Sequence, residues 1–221
     1  LETAVNNAKA ATEDYPGALK SLMTALDGVE FSYIDQAYQV NLCNRSYTDS
    51  DVHVRGHLIP NASRNGIKSI QEQTFYVTNS VPQVQNGFNG GIWYSLERAL
   101  QGVAMEERIY VVTGVAFEKM GEERIVTYTS AKDEPLKPIP VPNYFYKACL
   151  KLTTVNGKPN YKAIAILLPH TSTPVSEYLT DDEIMSIDTL EEKLGLDFFV
   201  NLPDEIEVAV ESDCNKGLWG L

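Results

Sequence analysis

The fold of this chain is decided between residues 55 and 97 by three motifs in a fixed order: RGH at 55–57, TFYVTNSVPQ at 74–83 and NGGIWYSLE at 89–97. Each motif alone is weak evidence, because a tripeptide such as RGH arises by chance in many proteins. Asn89, Trp93 and Glu97 recur at intervals of four, which would place their side chains on one helix face. The combination of the three motifs in this order is specific.

Strand and helix patterns surround the three motifs. Val52–Ile59 and Thr74–Thr78 favour strands, and Ile92–Val103 repeats apolar residues at helical spacing. Apolar runs predict four further strands, the last two joined by a turn that contains Asn156-Gly157; they are Arg108–Phe117, Arg124–Thr129, Tyr144–Val155 and Tyr161–Leu168. Thr189–Leu194 favours a helix that ends at Gly195. This mixture of strands and helices indicates an α+β domain.

The remaining segments suggest how the chain is divided. Residues 1–27 are rich in Ala, Leu, Lys and Glu, which favours helix, and Phe31–Leu42 alternates as a strand. We therefore expect a helical N-terminal segment at 1–29 and one domain over 30–221. Within that domain, Val81–Gly91 contains a proline and three glycines and should be irregular.

The charge of the chain is concentrated in one stretch. The 221 residues carry a formal net charge of −12, which alone argues against a polyanionic partner. Residues 181–213 contain twelve acidic side chains and one lysine, a balance of −11, which leaves the remainder at −1. We interpret the acidic stretch as a solvated helical face. A nearly neutral body can still bind a polyanion elsewhere, and such binding should weaken steeply with salt.

Composition excludes several classes of protein. Hydrophobic residues make up 43% and charged residues 22%, which is typical of globular proteins and excludes wholesale disorder. The sequence has no apolar run of about 18 residues, so no membrane span is predicted. Cys43, Cys149 and Cys214 lie far apart without C-x-x-C spacing, which disfavours a zinc site. The three cysteines allow one disulfide, which would leave one free thiol.

The three motifs resemble those of the DNA/RNA non-specific endonucleases, the ββα-metal family that includes the Serratia nuclease and endonuclease G. That family has an Arg-Gly-His strand, then a Thr-Phe-Tyr stretch followed by Asn and Pro-Gln, then Asn-x-x-x-Trp-x-x-Leu-Glu on a helix. The similarity extends over residues 30–212 and includes VVTG at 111–114, YFYK at 144–147 and LDFF at 196–199. It implies a ββα-metal (His-Me finger) nuclease fold with a central, mostly antiparallel sheet flanked by helices.

The resemblance also implies a role for each matching residue. His57 corresponds to the general base that activates water, Asn89 to the protein ligand of a Mg²⁺ ion, with Mn²⁺ as the alternative, and Glu97 to an acid that contacts the metal's waters. Asn79 corresponds to an asparagine that supports the histidine, and Arg55 can donate paired hydrogen bonds to a phosphate. The chemistry is compatible, because an imidazole with a pKa of about 6.5 can accept a proton near neutral pH. Mg²⁺ prefers oxygen ligands and keeps several waters.

Other residues of these types favour structural interpretations. His53 is interpreted as a solvated strand residue, His170 as a structural residue at a strand end, and Trp93 as part of the core. Asn86 is the alternative metal ligand to Asn89. Both asparagines lie close to a glycine, where an asparagine is usually a turn residue. The spacing to Trp93 favours Asn89.

The sequence departs from the family pattern at two positions near the motifs. Val54 stands where the family has an aspartate, and Gln101 where it has a second basic residue. Arg98 is not an obvious substitute, because successive helical residues are rotated by about 100°. Arg64 and Lys68 could follow a phosphate backbone or simply be solvated, and both interpretations stay open.

The predicted function is that of a Mg²⁺-dependent, sugar-non-specific endonuclease that cuts DNA and RNA and leaves 5′-phosphate ends. Sequence preference should be weak, because phosphate contacts dominate. One alternative is a nuclease-fold binding module with weak or no catalysis, suggested by Val54, Gln101 and the net charge. Another is a phosphodiesterase for small substrates. The family implies a secreted or periplasmic location, or a mitochondrial one in a eukaryote, and a homodimer stays open.

Overall fold

The computed structural model describes residues 52–117, 127–128, 139–174, 176 and 178–221. Within these ranges the strands are β1 His53–His57, β2 Ser80–Val84, β3 Arg108–Ala116, β4 Thr127–Tyr128, β5 Pro140–Val141, β6 Tyr144–Val155, β7 Lys158–Pro169 and β8 Ile184–Met185. The α-helices are α1 Lys68–Glu72, α2 Trp93–Ala104, α3 Ile187–Leu194 and α4 Asp204–Glu211. The N-terminal helix predicted within 1–29 and the strand predicted at Phe31–Leu42 lie outside the described residues.

The central sheet is antiparallel, with the strand order β3-β6-β7-β8. β6 and β7 pair over their whole length, from Tyr144 opposite Pro169 to Val155 opposite Lys158. Between them, Asn156 and Gly157 adopt positive φ angles of 53° and 76°, which a two-residue hairpin turn requires. The predicted hairpin and the α+β class are confirmed.

The sheet has an apolar core on each face, because successive residues of a strand point to opposite sides. The first core joins β6 and β7 to α2 and includes Trp93, Leu96, Phe145, Cys149 and Ile164. The second joins the same strands to α3 and α4 and includes Ala148, Ala165, Ile187, Leu190 and Val210. The acidic helices therefore lie on the opposite face of the sheet from α2.

Local sequence explains where these helices begin and end. α2 buries Trp93, Leu96 and Leu100 at helical spacing, as the predicted helix at Ile92–Val103 requires. The Ser186 hydroxyl accepts the backbone N–H of Thr189 at 3.2 Å, which caps the start of α3. Gly195 ends α3 in the left-handed conformation with φ 65°, as predicted.

β1 and β2 form a separate two-stranded ribbon. The second strand of this ribbon does not lie where the sequence predicts it. Thr74–Thr78 is not a strand: its residues belong to short 3-10 turns at Gln73–Phe75 and Val77–Asn79. The strand is Ser80–Val84, which pairs with β1 so that Pro82 faces Arg55. Proline lacks an N–H donor, but it is tolerated in an edge strand, where one side of the strand is not paired with a neighbouring strand.

The sequence leaves a disulfide open and predicts no membrane span, and the described residues bear on both points. Cys149 is buried and Cys214 is exposed, both as free thiols, while Cys43 lies outside the described residues. Across the part of the chain that the structure describes, no helix has the length and hydropathy to cross a bilayer.

Candidate active site

A cleft of about 220 Å³ lies between the end of β1 and α2. It brings together three residues that the sequence motifs single out: His57 from β1, Asn89 from the segment before α2, and Glu97 from the second turn of α2. The rest of its lining comes from the 3-10 turn after β1 and from α2, namely Pro60, Asn61, Ala62, Tyr94, Arg98 and Gln101.

The environment of His57 favours the neutral form of its imidazole. The ring is half-buried and contacts the edge of Phe75, with ring centroids 5.7 Å apart. Burial lowers the pKa of His57 below 6.5, and the positive charge of Arg55 lowers it further. A neutral imidazole can accept a proton, so His57 is suited to act as a general base near neutral pH.

Strand geometry explains the glycine between Arg55 and His57. Alternation along β1 puts those two side chains on one face and Gly56 on the other. There Gly56 meets Gln83, which is fully buried, and a Cβ atom at Gly56 would lie 2.1 Å from the Gln83 Cδ atom. Only glycine fits this approach, so the tight β1–β2 contact fixes the strand that carries His57.

Asn79 fixes the chain that leaves His57, although it does not line the cleft. The side chain is buried, its oxygen accepts the Ile59 N–H at 2.8 Å, and its nitrogen donates to the Ile59 and Thr74 carbonyls, each at 2.9 Å. The Asn79 carbonyl also accepts the Leu58 N–H at 3.0 Å. Asn79 is therefore engaged in positioning the backbone just after β1.

Asn89 belongs to an irregular segment, Gln85–Ile92, as the prediction for this stretch requires. Its side-chain nitrogen donates to Gln85 Oε1 at 3.2 Å, which leaves the amide oxygen as the atom available to a cation. Gly87 has a φ of 81°, and a Cβ atom there would lie 2.4 Å from the Ser172 carbonyl oxygen, so this backbone is closely packed. Asn86 is exposed and does not line the cleft, which agrees with the preference for Asn89.

Glu97 carries a buried oxygen that a metal-bound water would suit. The Glu97 carboxylate interacts with the Trp93 indole, but its Oε1 atom makes no hydrogen bond of normal geometry to any described residue. Burial raises the pKa of Glu97 to about 7, while Lys147 and the Trp93 indole act in the opposite direction. An amide oxygen at Asn89 and this carboxylate make an all-oxygen donor set of the kind Mg²⁺ prefers, so the residues fit the predicted metal.

Arg98 reaches the cleft next to Gln101, the position where the family has a second basic residue. Its angular position on the helix alone does not suggest this. Both side chains line the cleft, and Arg98 Nη1 donates to Gln101 Oε1 at 3.4 Å. Gln101 Nε2 in turn donates to Ser63 Oγ at 3.4 Å. A long arginine three residues before Gln101 can reach the same cleft, because helical residues three apart are neighbours. That spacing was the signal the sequence offered for Arg98.

The remaining basic candidates, including Arg55, do not line this cleft. Arg64 lines two adjacent hollows, and Lys68 is exposed and pairs with Glu72 at 3.7 Å. His170 is structural: its Nε2 accepts the Val84 N–H and its Nδ1 donates to the Pro142 carbonyl, both at 2.8 Å.

Comparison with known proteins places this geometry in a family. The family model described as DNA/RNA non-specific endonuclease matches residues 30–205. A mitochondrial nuclease of Saccharomyces cerevisiae is 29% identical, with 73% of this chain and 50% of the relative aligned. Nuclease C1 of Cunninghamella echinulata var. echinulata is also 29% identical, over 72% of this chain and 60% of its own length. The nuclease of Serratia marcescens is 28% identical, over 72% and 55% respectively.

A solved structure shares the fold. The crystal structure of the EndoG/EndoGI complex contains a chain that superposes with a TM-score of 0.57 at 23% identity, over 74% of this chain and 65% of that one. This similarity confirms the predicted ββα-metal nuclease fold. The chain spans 50% to 60% of the length of the three relatives compared.

Proposed function

The chain belongs to the DNA/RNA non-specific endonuclease family, and from this premise we propose that it is a Mg²⁺-dependent endonuclease that cuts DNA and RNA with little sequence preference. The observation that carries the proposal is the single cleft lined by His57, Asn89 and Glu97. Mn²⁺ is the alternative ion, since it also accepts oxygen ligands.

In this proposal His57 is the general base. The neutral imidazole takes a proton from a water molecule, and the water oxygen forms a bond to phosphorus as the bond between phosphorus and the 3′-oxygen breaks. The products are a 5′-phosphate and a 3′-hydroxyl whose proton comes from solvent. The lowered pKa of His57 supports this role, because the base must be deprotonated before each turnover.

Asn89 and Glu97 are proposed to hold the metal. The Asn89 oxygen would bind the ion directly, and the Glu97 carboxylate would accept hydrogen bonds from its waters. When bound, Mg²⁺ supplies charge stabilisation for the phosphate and the leaving 3′-oxygen. The Glu97 Oε1 atom supports the assignment, since it is buried and makes no hydrogen bond of normal geometry to a described residue, which is costly for a carboxylate oxygen.

Arg55 and Arg98 are proposed to contact phosphate, and Asn79 to act as a positioning residue. Arg55 shares the strand face of His57, and Arg98 lines the same cleft. The three hydrogen bonds of the Asn79 side chain hold the backbone after His57, so its contribution is geometric. A mitochondrial or extracytoplasmic location and a homodimer remain part of this proposal, the former because relatives bear names such as "Mitochondrial nuclease".

The test is cleavage of supercoiled plasmid and of a long RNA at neutral pH, with MgCl₂ or with EDTA. We expect cleavage that requires Mg²⁺ and falls by about 10³-fold or more in His57→Ala, given what a positioned base and its metal contribute. His53→Ala is the matched control, because it removes a histidine from the same strand but outside the cleft. Asn89→Ala should raise the Mg²⁺ concentration needed for half-maximal rate.

Three outcomes would contradict the proposal. Equal loss in His53→Ala and His57→Ala would remove the reason to assign the base to His57. Binding of nucleic acid by the intact protein without cleavage would favour the binding-module alternative. Turnover of a small diester such as bis(p-nitrophenyl) phosphate without cleavage of plasmid would favour a small-substrate phosphodiesterase.

A further inference from the structure

A second group of carboxylates lies on the other face of the sheet, away from the cleft. Asp188 and Glu191 from α3 and Glu211 from α4 each offer one oxygen, and these oxygens all lie within 4.8 Å of one another. Three negative charges at such separations repel one another strongly unless a cation or a proton lies between them.

Glu211 is the member that distinguishes this cluster from an ordinary acidic surface. The residue is only 5% exposed, and its Oε1 atom has no hydrogen-bond partner within the described ranges. Glu207, one turn earlier on α4, also carries a buried oxygen without a partner there. A buried carboxylate that lies within 4.8 Å of two other carboxylates lacks the pairing that burial of a charge requires.

Among the described residues, the groups that influence Glu211 add negative charge and no compensating positive charge. Burial, together with the negative charges of Glu191, Glu207, Asp188 and Asp197, raises the pKa of Glu211 to about 7. Glu191 is held in place because its Oε1 accepts the Phe198 N–H at 2.6 Å. On the neighbouring strand β7, Lys162 pairs with Asp213 at 3.1 Å, outside the cluster.

We propose that Asp188, Glu191 and Glu211 bind a Ca²⁺ ion that joins α3 to α4. Ca²⁺ binds several carboxylate oxygens at about 2.3–2.6 Å in flexible geometry, whereas Mg²⁺ is usually held by one or two carboxylates and keeps its waters, so a group of three carboxylates suits Ca²⁺. This site is independent of the proposed catalytic metal, since it lies across the sheet from Asn89. Its role is to stabilise the packing of the two acidic helices.

The test is thermal unfolding at pH 7.5 in EDTA and in about 5 mM CaCl₂, a concentration suited to sites of modest affinity. We expect CaCl₂ to raise the melting temperature of the wild-type protein by about 5 °C. Glu211→Gln should lose this shift, while its melting temperature in EDTA should equal or exceed the wild-type value because one repelling charge is gone. Asp188→Asn, at an exposed member of the cluster, should also lose the shift.

Two matched variants locate the effect. Glu205→Gln, at an exposed position of α4 outside the cluster, should keep the full CaCl₂ shift. Asn89→Ala should keep it too, because the shift does not arise in the catalytic cleft. No CaCl₂ shift in the wild-type protein, or a shift lost in Asn89→Ala and retained in Glu211→Gln, would overturn the proposal. Stabilisation on acidification to pH 6 without any response to CaCl₂ would show that a shared proton, and not a cation, occupies the cluster.

Discussion

The ammonium group of Lys147 lies 4.2 Å from the centroid of the Trp93 ring, in the first core beside the cleft. Lys147 is 2% exposed, and its Nζ donates to Thr113 Oγ1 at 3.0 Å. Burial lowers the pKa of Lys147 to about 8, whereas the negative charge of Glu97 raises it. In return Lys147 lowers the pKa of Glu97, so each residue favours the charged form of the other.

Replacing Lys147 should therefore change Glu97. In Lys147→Met the pKa of Glu97 should rise further, because the nearby positive charge is lost while the burial remains. Mg²⁺ affinity and activity should fall by about 10- to 100-fold, the usual effect of removing a residue that supports a metal site. The Glu97 pKa can be measured by carbon NMR in EDTA, and the Mg²⁺ requirement from cleavage rates.

Lys151 supplies the matched control for this experiment. It is another buried lysine of β6, but its ammonium pairs with Glu107 at 2.6 Å and lies 5.4 Å from the Trp219 ring. Lys151→Met should lower stability without altering the pKa of Glu97. An unchanged Glu97 pKa in Lys147→Met would contradict the coupling.

The pH dependence of cleavage should report on His57. A base with a lowered pKa is deprotonated already at neutral pH, so kcat/KM should rise with pH along a limb centred below 6.5 and then level off. Arg55→Gln should move that limb to higher pH, because the positive charge that disfavours the imidazolium is removed, and should reduce the plateau about tenfold through the lost phosphate contact. Arg64→Gln should leave the limb in place, because Arg55, and not Arg64, is the charge that lowers the pKa of His57. A limb that stays fixed in Arg55→Gln would contradict the assignment to His57.

The regular parts of the fold could be predicted because their signals are long and periodic. The β6–β7 hairpin follows from two apolar runs around Asn156-Gly157, and α2 from apolar residues at helical spacing. The residues of the cleft could be predicted for another reason. The resemblance predicts that His57, Asn89 and Glu97 belong to one site, although the local secondary-structure preferences of these residues do not indicate that they are close in space.

The errors arose where side-chain contacts override local pattern. Thr74–Thr78 consists of residues that favour strands, but Asn79 binds the Thr74 carbonyl and this stretch folds into turns. Pro82 favours irregular structure in the sequence, but in the structure it lies in β2 and pairs with Arg55 of β1. The angular position of Arg98 on the helix makes it no obvious substitute, yet its side chain lines the cleft beside Gln101. The three-residue spacing to Gln101 is compatible with this contact, but the contact itself depends on the tertiary structure.

The close approach of Gly56 to Gln83 makes a further prediction. Gly56→Ala should lower the free energy of unfolding by about 1–3 kcal/mol, because a buried Gln83 cannot turn into solvent to make room. Gly66→Ala is the control, since no atom lies within 4 Å of its added methyl group, and it should change stability by no more than about 0.5 kcal/mol. Urea unfolding gives both values. Equal effects at the two glycines would show that Gly56 is not constrained by Gln83.

The charges of the cleft should determine how salt affects binding. Although the whole chain carries −12, the acidic helices lie across the sheet from Arg98, so a nucleic acid in the cleft need not approach them. Each phosphate neutralised by a cation contributes about −0.9 to the slope of log affinity against log salt for duplex DNA. In a His57→Ala background, Arg98→Gln should make this slope shallower by about 1, and Gln101→Arg should make it steeper by about 1. Lys193→Gln, on α3, should leave the slope unchanged. Fluorescence anisotropy with a labelled duplex gives the slopes, and a response to salt that is flat in every variant would rule out phosphate recognition by this cleft.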